Sequence, residues 1–400
     1  MSVEKNVPEI RFKGFSGEWD DSEFSRIATR VSTQHQTRCL PCVEYEDIVA
    51  GKGRFNKDIH QKKTFKSGLK FEANDVLFGK LRPYLKNWFL ADFEGIAVGD
   101  FWVLRADNVA STFLFSLIQT NKFEFIANLS AGSKMPRSDW GLVSSSCFLV
   151  PKSISESDKI GSTFQKLDNL IDQHQKKHNK LSSIKKAMLA KMFPKQGETI
   201  PEIRFKGFSG EWMEVQFKSI AGVRRGLTYK PDDIAENGII VLRSSNINVD
   251  RFELRKDDVQ VNKNAVNINR VKNGDILITS ANGSSNLVGK HVVVCGLTVD
   301  AVHGGFMLLA ETDVPHFLNA SMNTYWYDRF RSMNVSGGNG AIGNIKGSAL
   351  EEEYLYIPKK EEQIAIGNYF QKLDALINQH QQQITKLNNI KQACLSKMFV

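Results

Sequence analysis

Residues 164–193, FQKLDNLIDQHQKKHNKLSSIKKAMLAKMF, return as residues 370–399, FQKLDALINQHQQQITKLNNIKQACLSKMF. The two stretches align without a gap, and 19 of the 30 positions are identical. Neither contains proline or glycine, and apolar residues recur at spacings of three and four, which predicts one long helix in each copy. The apolar face is expected at Phe164, Leu167, Ile171, Leu181 and Ile184, and at Phe370, Leu373, Ile377, Leu387 and Ile390.

The heptad-like spacing predicts that the two helices pack on each other, most simply as an antiparallel coiled coil. Near the middle of each copy the apolar pattern weakens at His174 and His380, so a polar layer is expected there. Pro194 is expected to end the first helix. Thirty helical residues would form a rod of about 45 Å.

A second repeat, PEIRFKGFSGEW, occupies residues 8–19 and again residues 201–212. The chain of 400 residues therefore contains two copies of one plan: a twelve-residue motif, a variable segment and a helix. Such duplication commonly gives a pseudo-two-fold arrangement.

The variable segments have the pattern of short strands and polar loops. FEANDVLFGKLRPYLKNWFLA (71–91) corresponds to VKNGDILITSANGSSNLVGKHVVV (271–294), and a later Gly/Ser loop with a following strand is also matched. The predicted fold is therefore a duplicated α/β (α+β) recognition domain joined to two long helices. The predicted boundaries are 1–153 and 197–357 for the two domains, and 154–196 and 358–400 for the two helical segments.

The net charge of +9 suits an acidic partner such as nucleic acid. The two repeated helices carry +5 and +3, and the segment from Lys52 to Lys86 holds ten Lys/Arg against three acids. The sequence contains no run of about 18 apolar residues, so no membrane-spanning helix is predicted. The first residues resemble no secretory signal, and five scattered cysteines fit a reducing cytoplasm, which is the expected location.

The motifs that would indicate catalysis are incomplete. GNGAIG (338–343) follows no apolar strand, and GSSNLVGKH (283–291) has five residues between its glycines where a phosphate loop has four. The pair Cys39 and Cys42 lacks a second ligand pair for zinc, and HQKKH (174–178) lacks the glutamate of a zinc protease helix. We therefore expect a non-catalytic binding protein without a cofactor or metal of its own.

The duplicated layout, together with PEIRFKGFSGEW, DVLFGKLRPYLKN and PKKEEQIAIGNYFQKLDALI, resembles the specificity subunit of Type I restriction-modification systems over essentially the whole chain. The resemblance implies two target recognition domains, each reading one half of a split sequence in double-stranded DNA. It also implies that the helices act as a spacer and as docking surfaces for two modification subunits. The lead-in SISESDKIG of the first helix departs from the PKKEEQIAI pattern, so the two helix starts are not expected to be fully equivalent.

In such a complex S-adenosylmethionine, ATP and magnesium are expected in the partner subunits. These would be the modification (adenine methyltransferase) and restriction/translocase subunits, and no membrane is involved.

The candidate DNA-binding residues lie on the loops between strands, where Lys and Arg can hold phosphate and Asn, Gln and Arg can read base edges. In the first domain they are Lys80, Arg82, Tyr84, Lys86, Ser133, Lys134 and Arg137. In the second they are Arg224, Arg225, Arg243, Asn246, Ser280, Asn282, Ser284, Asn286, Asn339, Asn344 and Lys346.

Two other readings stay open at this level. A coiled-coil scaffold would pair protein subunits without sequence-specific DNA binding, and an enzyme would need a complete catalytic motif.

Overall fold

The computed structural model describes residues 6–36, 39–61, 66–129, 135–335 and 343–399. The chain divides into two compact units. The first unit comprises Met1–Lys176 and His380–Val400, and the second comprises Lys177–Gln379. Each unit therefore contains one variable segment and one part of each repeated helix.

The elements of the first unit are short strands and short helices that precede a long helix. They are β1 (Asp20–Glu23), α1 (Phe24–Ile27), β2 (Ala28–Val31), β3 (Gln34–His35), β4 (Cys42–Val43), β5 (Ile48–Val49), β6 (Arg54–Phe55), β7 (Gly68–Phe71), β8 (Val76–Gly79), β9 (Trp88–Leu90), β10 (Gly95–Ala97), β11 (Phe101–Ala106), α2 (Ser111–Leu117), α3 (Asn121–Ala127), α4 (Trp140–Ser145), β12 (Cys147–Val150) and α5 (Ile154–Lys191), which continues into the second unit.

The second unit repeats this order with longer connections. Its elements are β13 (Met213–Gln216), β14 (Gly222–Arg225), β15 (Ile234–Leu242), β16 (Ile247–Asn248), β17 (Arg251–Phe252), β18 (Gln260–Val261), β19 (Ile276–Thr279), β20 (Ala281–Asn282), β21 (His291–Val293), β22 (Ala301–His303), β23 (Met307–Glu311), α6 (Pro315–Ser321), α7 (Tyr325–Asn334), β24 (Gly343–Asn344), α8 (Gly347–Glu352), β25 (Tyr354–Ile357) and α9 (Lys360–Lys397), which continues into the first unit.

Each unit is built on an antiparallel four-stranded sheet with the same strand order. The orders are β2-β11-β8-β9 and β14-β23-β19-β21. Strands β8 (VLFG) and β19 (ILIT) are buried along their whole length, because aliphatic and aromatic side chains favour a pleated, covered surface. A buried aspartate precedes each strand, and its side chain closes the preceding turn by accepting the backbone N–H of Glu72 or Lys272.

The repeated helices are 38 residues each, about 57 Å at 1.5 Å per residue, and longer than the 30-residue repeat. Within the first unit they run antiparallel, since Asp168 bonds Lys391 at 2.7 Å and, six residues further along α5, His174 meets His380. The two Nδ1 atoms lie 2.9 Å apart, so the predicted polar layer is confirmed. Within the second unit Lys185 bonds Asp374 at 2.7 Å.

Each long helix also packs on the domain that precedes it. Phe164 joins the core of the first unit, where Ile171 is also buried, and Phe370 and Leu373 join the core of the second. Leu167, Leu181, Ile184, Ile377 and Leu387 are half-buried, and Ile390 is 39% exposed. Much of the predicted apolar face therefore holds its own unit together.

The twelve-residue repeat has a structural explanation. Arg11 donates two hydrogen bonds to Glu156, at 2.6 and 2.8 Å, near the start of α5. Arg204 makes the same pair with Glu362 near the start of α9, at 2.7 Å for both bonds. Both carboxylates are almost fully buried. The two helix starts therefore share one bidentate ion pair, although their lead-in sequences differ.

Candidate nucleic-acid interface

Four predicted residues of the first unit lie at the loop that follows β8. The Leu81–Arg137 bridge and the bond from the Ser138 N–H to the Lys80 carbonyl bring two distant loops together here. Arg82 adopts φ 50° and Lys86 φ 56°, on either side of a 3₁₀ turn at Pro83–Leu85. Positive φ at non-glycine residues is uncommon and costs backbone energy, and it is concentrated at functional loops.

The charges at this corner are partly neutralised. Asp100 lies 3.0 Å from Arg137 and 3.6 Å from Lys80, and its hydrogen bond raises the pKa of Arg137 above the ordinary value. Lys86 bonds Glu124 at 2.8 Å. Arg82 is exposed and has no carboxylate within ion-pair distance in the described part of the chain. Arg82 is therefore the positively charged side chain at this corner that is best placed to bind phosphate.

The basic segment 52–86 as a whole is less positive than its composition indicates. In addition to Lys80 and Lys86, four of its ten cations pair with acids from elsewhere in the chain: Lys57 with Asp47, Lys66 with Glu44, Lys70 with Glu94 and Arg54 with Asp172. Of its aromatic residues, Phe71 and Phe78 are in the core and Phe55 packs on it, whereas Tyr84 is 52% exposed. Among the described aromatic residues of this segment, which do not include Phe65, Tyr84 is thus the one available to a ligand.

The second unit builds the corresponding corner from uncharged residues. The Ser280 N–H donates to Phe306, as Lys80 does to Asp100, and Ile345 donates to Ser280, as Ser138 does to Lys80. These bonds place Ser280, Asn282 and Asn344 at the positions of Lys80, Arg82 and Arg137. Ser284, Asn286 and Lys346 are exposed on the adjoining loops.

Other predicted residues of the second unit have structural partners. Arg224 bonds Glu311 at 2.9 Å and the Asn269 carbonyl at 3.2 Å. Asn246 is fully buried and donates to Glu253 and Asp258. Arg225 is exposed, and Arg243 lies at the edge of a pocket described below. Ser133, Lys134 and Asn339 lie outside the described residues, as does most of GNGAIG.

Sequence reasoning missed two residues at these corners, Asp100 and Phe306. They occupy equivalent positions, because each carbonyl accepts the N–H of the residue that follows the buried strand. Phe306 is 68% exposed. The sequence signal was misleading, because matching GDFWVLRA (99–106) with GGFMLLAE (304–311) puts Phe306 opposite Phe101, one residue away from the register of the strands.

The motifs set aside in the sequence show structural roles where they are described. His291 of GSSNLVGKH is half-buried, with Nδ1 2.9 Å from Asn319, and desolvation lowers its pKa. Cys39 is exposed, Cys42 is buried, and neither is in a disulfide. The described residues contain no group of three or more His, Cys, Asp or Glu placed to hold a metal. Nor do they include a helix long and apolar enough to cross a membrane.

Comparison with known proteins agrees with this geometry. Residues 209–389 match the family model described as the Type I restriction modification DNA specificity domain. The Type I restriction enzyme EcoKI specificity subunit of Escherichia coli (strain K12) is 25% identical over 202 residues, which are 46% of this chain and 42% of that protein. The alignment thus spans less than half the length of this curated relative.

Solved structures extend the likeness to the fold of the whole chain. The S subunit of a Type-I restriction-modification system from M. genitalium matches with a TM-score of 0.68 at 12% identity, covering 98% of this chain and 99% of that one. The HsdS subunit from Thermoanaerobacter tengcongensis matches with a TM-score of 0.41 at 17% identity, covering 95% of this chain and 96% of that one. Residues 209–389 therefore match the Type I restriction modification DNA specificity domain, and the chain shares its fold with a solved S subunit of such a system.

Proposed function

We propose that this chain is a sequence-specific DNA-binding subunit that reads a split target, one half with each variable domain. The observation that carries the proposal is the pair of equivalent corners. The same backbone hydrogen bonds present Lys80, Arg82 and Arg137 in one unit and Ser280, Asn282 and Asn344 in the other. Shared scaffolding with different polar side chains is what two different half-sites require, because base edges are read by side-chain chemistry.

The proposal extends to partners. Two modification subunits and the restriction/translocase subunits would dock on this chain and carry the S-adenosylmethionine, ATP and magnesium chemistry, while the chain itself would be non-catalytic and cytoplasmic. Leu170 and Leu376 support identical docking at two places. They are the same position of the helix repeat, and they are 44% and 43% exposed. Exposed apolar residues of this kind are suited to a protein interface.

The docking surface is tested by pull-down of the modification subunit. Leu170→Asp and Leu376→Asp together should abolish capture, and each alone should halve the stoichiometry. Lys397→Ala, which removes an exposed pair with Glu9, is the control and should bind normally. Full capture by the double variant would place the docking surface elsewhere.

The recognition proposal is tested by co-expression with the cognate modification subunit in a host that lacks adenine methylation, followed by genome-wide mapping of modified adenines. One motif, made of two short half-sites around a fixed gap, supports the proposal. Assembly of the complex without any motif would contradict it and would favour a scaffold that pairs subunits without reading sequence. Cleavage or methylation by the purified chain alone would contradict the non-catalytic assignment.

A further inference from the structure

The second unit contains a largely apolar pocket beside the exposed Phe306. Its volume is about 590 Å³. Met307 and Leu227 are buried in its wall, and Ile234, 53% exposed, also lines it. Arg243, Ser244 and Asn282 supply the polar groups of the lining. The pocket therefore adjoins the corner that the proposed function assigns to base reading.

Strand register explains why the second unit has space at this point. Val43 pairs with Ala97 and Leu242 with His303, which makes Tyr45 and Ser244 equivalent, two residues further along. In the first unit the Tyr45 ring packs on Phe101 with centroids 4.5 Å apart, and its hydroxyl donates to the Asp100 carbonyl. A serine in place of that ring leaves a volume that a ligand can enter.

The residues at equivalent positions in the two units also differ in charge around the pocket. Glu44 of the first unit corresponds to Arg243 of the second, and Asp100 corresponds to Phe306. The Arg243 Nε is buried and has no hydrogen-bond partner among the described residues. The Asn282 Nδ2 lies 3.3 Å from the Ser244 Oγ, at the long end of a hydrogen bond. The pocket thus combines apolar walls with polar groups that have bonding capacity to spare.

We propose that this pocket receives the 5-methyl edge of a thymine in the half-site read by the second unit, with Phe306 against the methyl group. In the major groove only thymine presents a methyl beside an acceptor oxygen, and its adenine partner presents a donor and an acceptor that an Asn amide matches. Phe306 offers the apolar contact, and Asn282 and Arg243 offer the donors. The inference rests on the proposed function and names the base chemistry that one of its two domains selects.

The test uses the chain assembled with its modification subunits and a duplex carrying the mapped motif. Each thymine of the second-unit half-site, on either strand, is replaced in turn by deoxyuridine, which removes only the methyl group. One replacement should weaken binding about fourfold, the equivalent of about 0.8 kcal/mol for one buried methyl-sized group. Phe306→Ala should weaken binding to the thymine duplex, and this variant should bind the thymine and deoxyuridine duplexes equally well.

Two further variants separate contact from folding. Ser244→Tyr, which restores the residue of the first unit, should fill the pocket and remove the discrimination between thymine and uracil. Phe125→Ala removes an aromatic of matching exposure, 67%, on α3 of the first unit and should leave that discrimination intact.

The outcomes distinguish this inference from the proposal beneath it. Specific binding that no deoxyuridine replacement weakens, or a second half-site without an A·T pair, overturns the pocket assignment and leaves split-site reading standing. Binding without any sequence preference overturns both. Unequal binding of the two duplexes by Phe306→Ala assigns the methyl contact to another residue and overturns the role of Phe306.

Discussion

Gly161 is the point where helix α5 approaches the start of α2 most closely, and adding one methyl group there tests the packing directly. A Cβ at Gly161 would lie 2.3 Å from the Thr112 Oγ1 and 2.4 Å from both the Phe113 N and the Thr112 carbonyl carbon. Two of these atoms belong to the backbone, so no rotamer change relieves the clash. The Ala110 N–H donates to Ser157 of α5 at 3.0 Å, so moving α2 away also strains that bond.

The magnitude follows from two opposing terms. Overpacking lowers the free energy of unfolding by about 1–3 kcal/mol, whereas replacing glycine by alanine inside a helix raises it by about 0.5–1 kcal/mol. We therefore expect Gly161→Ala to lower the free energy of unfolding by about 1–2 kcal/mol. The repeat-equivalent Gly367, whose Cβ would lie 2.8 Å from the Phe317 N, should respond in the same direction but less strongly.

The assay is urea unfolding followed by tryptophan fluorescence, which reports mainly the first unit because four of the six tryptophans, Trp19, Trp88, Trp102 and Trp140, lie there. Gly141→Ala is the helical control, since its Cβ would meet only the Asp139 carboxylate, at 3.1 Å. It should leave stability unchanged or raise it slightly. A Gly161→Ala protein as stable as the original would refute the close approach of α2 and α5.

Arg11→Ala should lower the free energy of unfolding by about 3–5 kcal/mol in the same assay, because it leaves Glu156 charged, 2% exposed and without its bidentate partner; an unchanged midpoint would show that the repeated motif does not hold the helix. Burial lowers the pKa of His303 to about 4, against about 6.5 in the unfolded chain. Between these two pKa values the imidazole is protonated in the unfolded chain but not in the folded chain. The free energy of unfolding should therefore fall by up to about 1.4 kcal/mol per pH unit as the pH drops from 6.5 to 4. His303→Gln should flatten this part of a stability–pH curve. Arg82→Ala should weaken DNA binding and reduce its log–log salt slope by about one, whereas the already paired Lys86 should change the slope less when replaced by alanine; equal slopes for both variants and the original would remove this loop from the DNA-binding face.

The sequence predicted the features that depend on local pattern. The two helices, their antiparallel packing and the polar layer at His174 and His380 follow from periodicity and its interruption. Heptad reasoning did not predict Lys391, which is 8% exposed and bonds both Asp168 and Gln119, because a lysine is normally assigned to the solvent face. Its partners come from two other segments, and only folding brings them together.

The surface chemistry was harder to predict for the same reason. The positive charge of segment 52–86 was evident from composition, but Asp100, Glu124 and Asp172 reach it from distant positions. The equivalence of Tyr45 with Ser244 depends on strand register, which the low similarity of the variable segments conceals. Side-chain identity at matched positions becomes informative only once the backbone hydrogen bonds define which positions match.

The central claim is that each variable domain reads its own half of the target. The most direct measurement exchanges residues 213–357 for the corresponding segment of a specificity subunit with a different target and maps the modified adenines of cells that express the chimaera with the modification subunit. The account predicts a motif in which one half-site changes while the other half-site is retained. A motif changed in both halves, or unchanged in both, would contradict independent reading by the two domains.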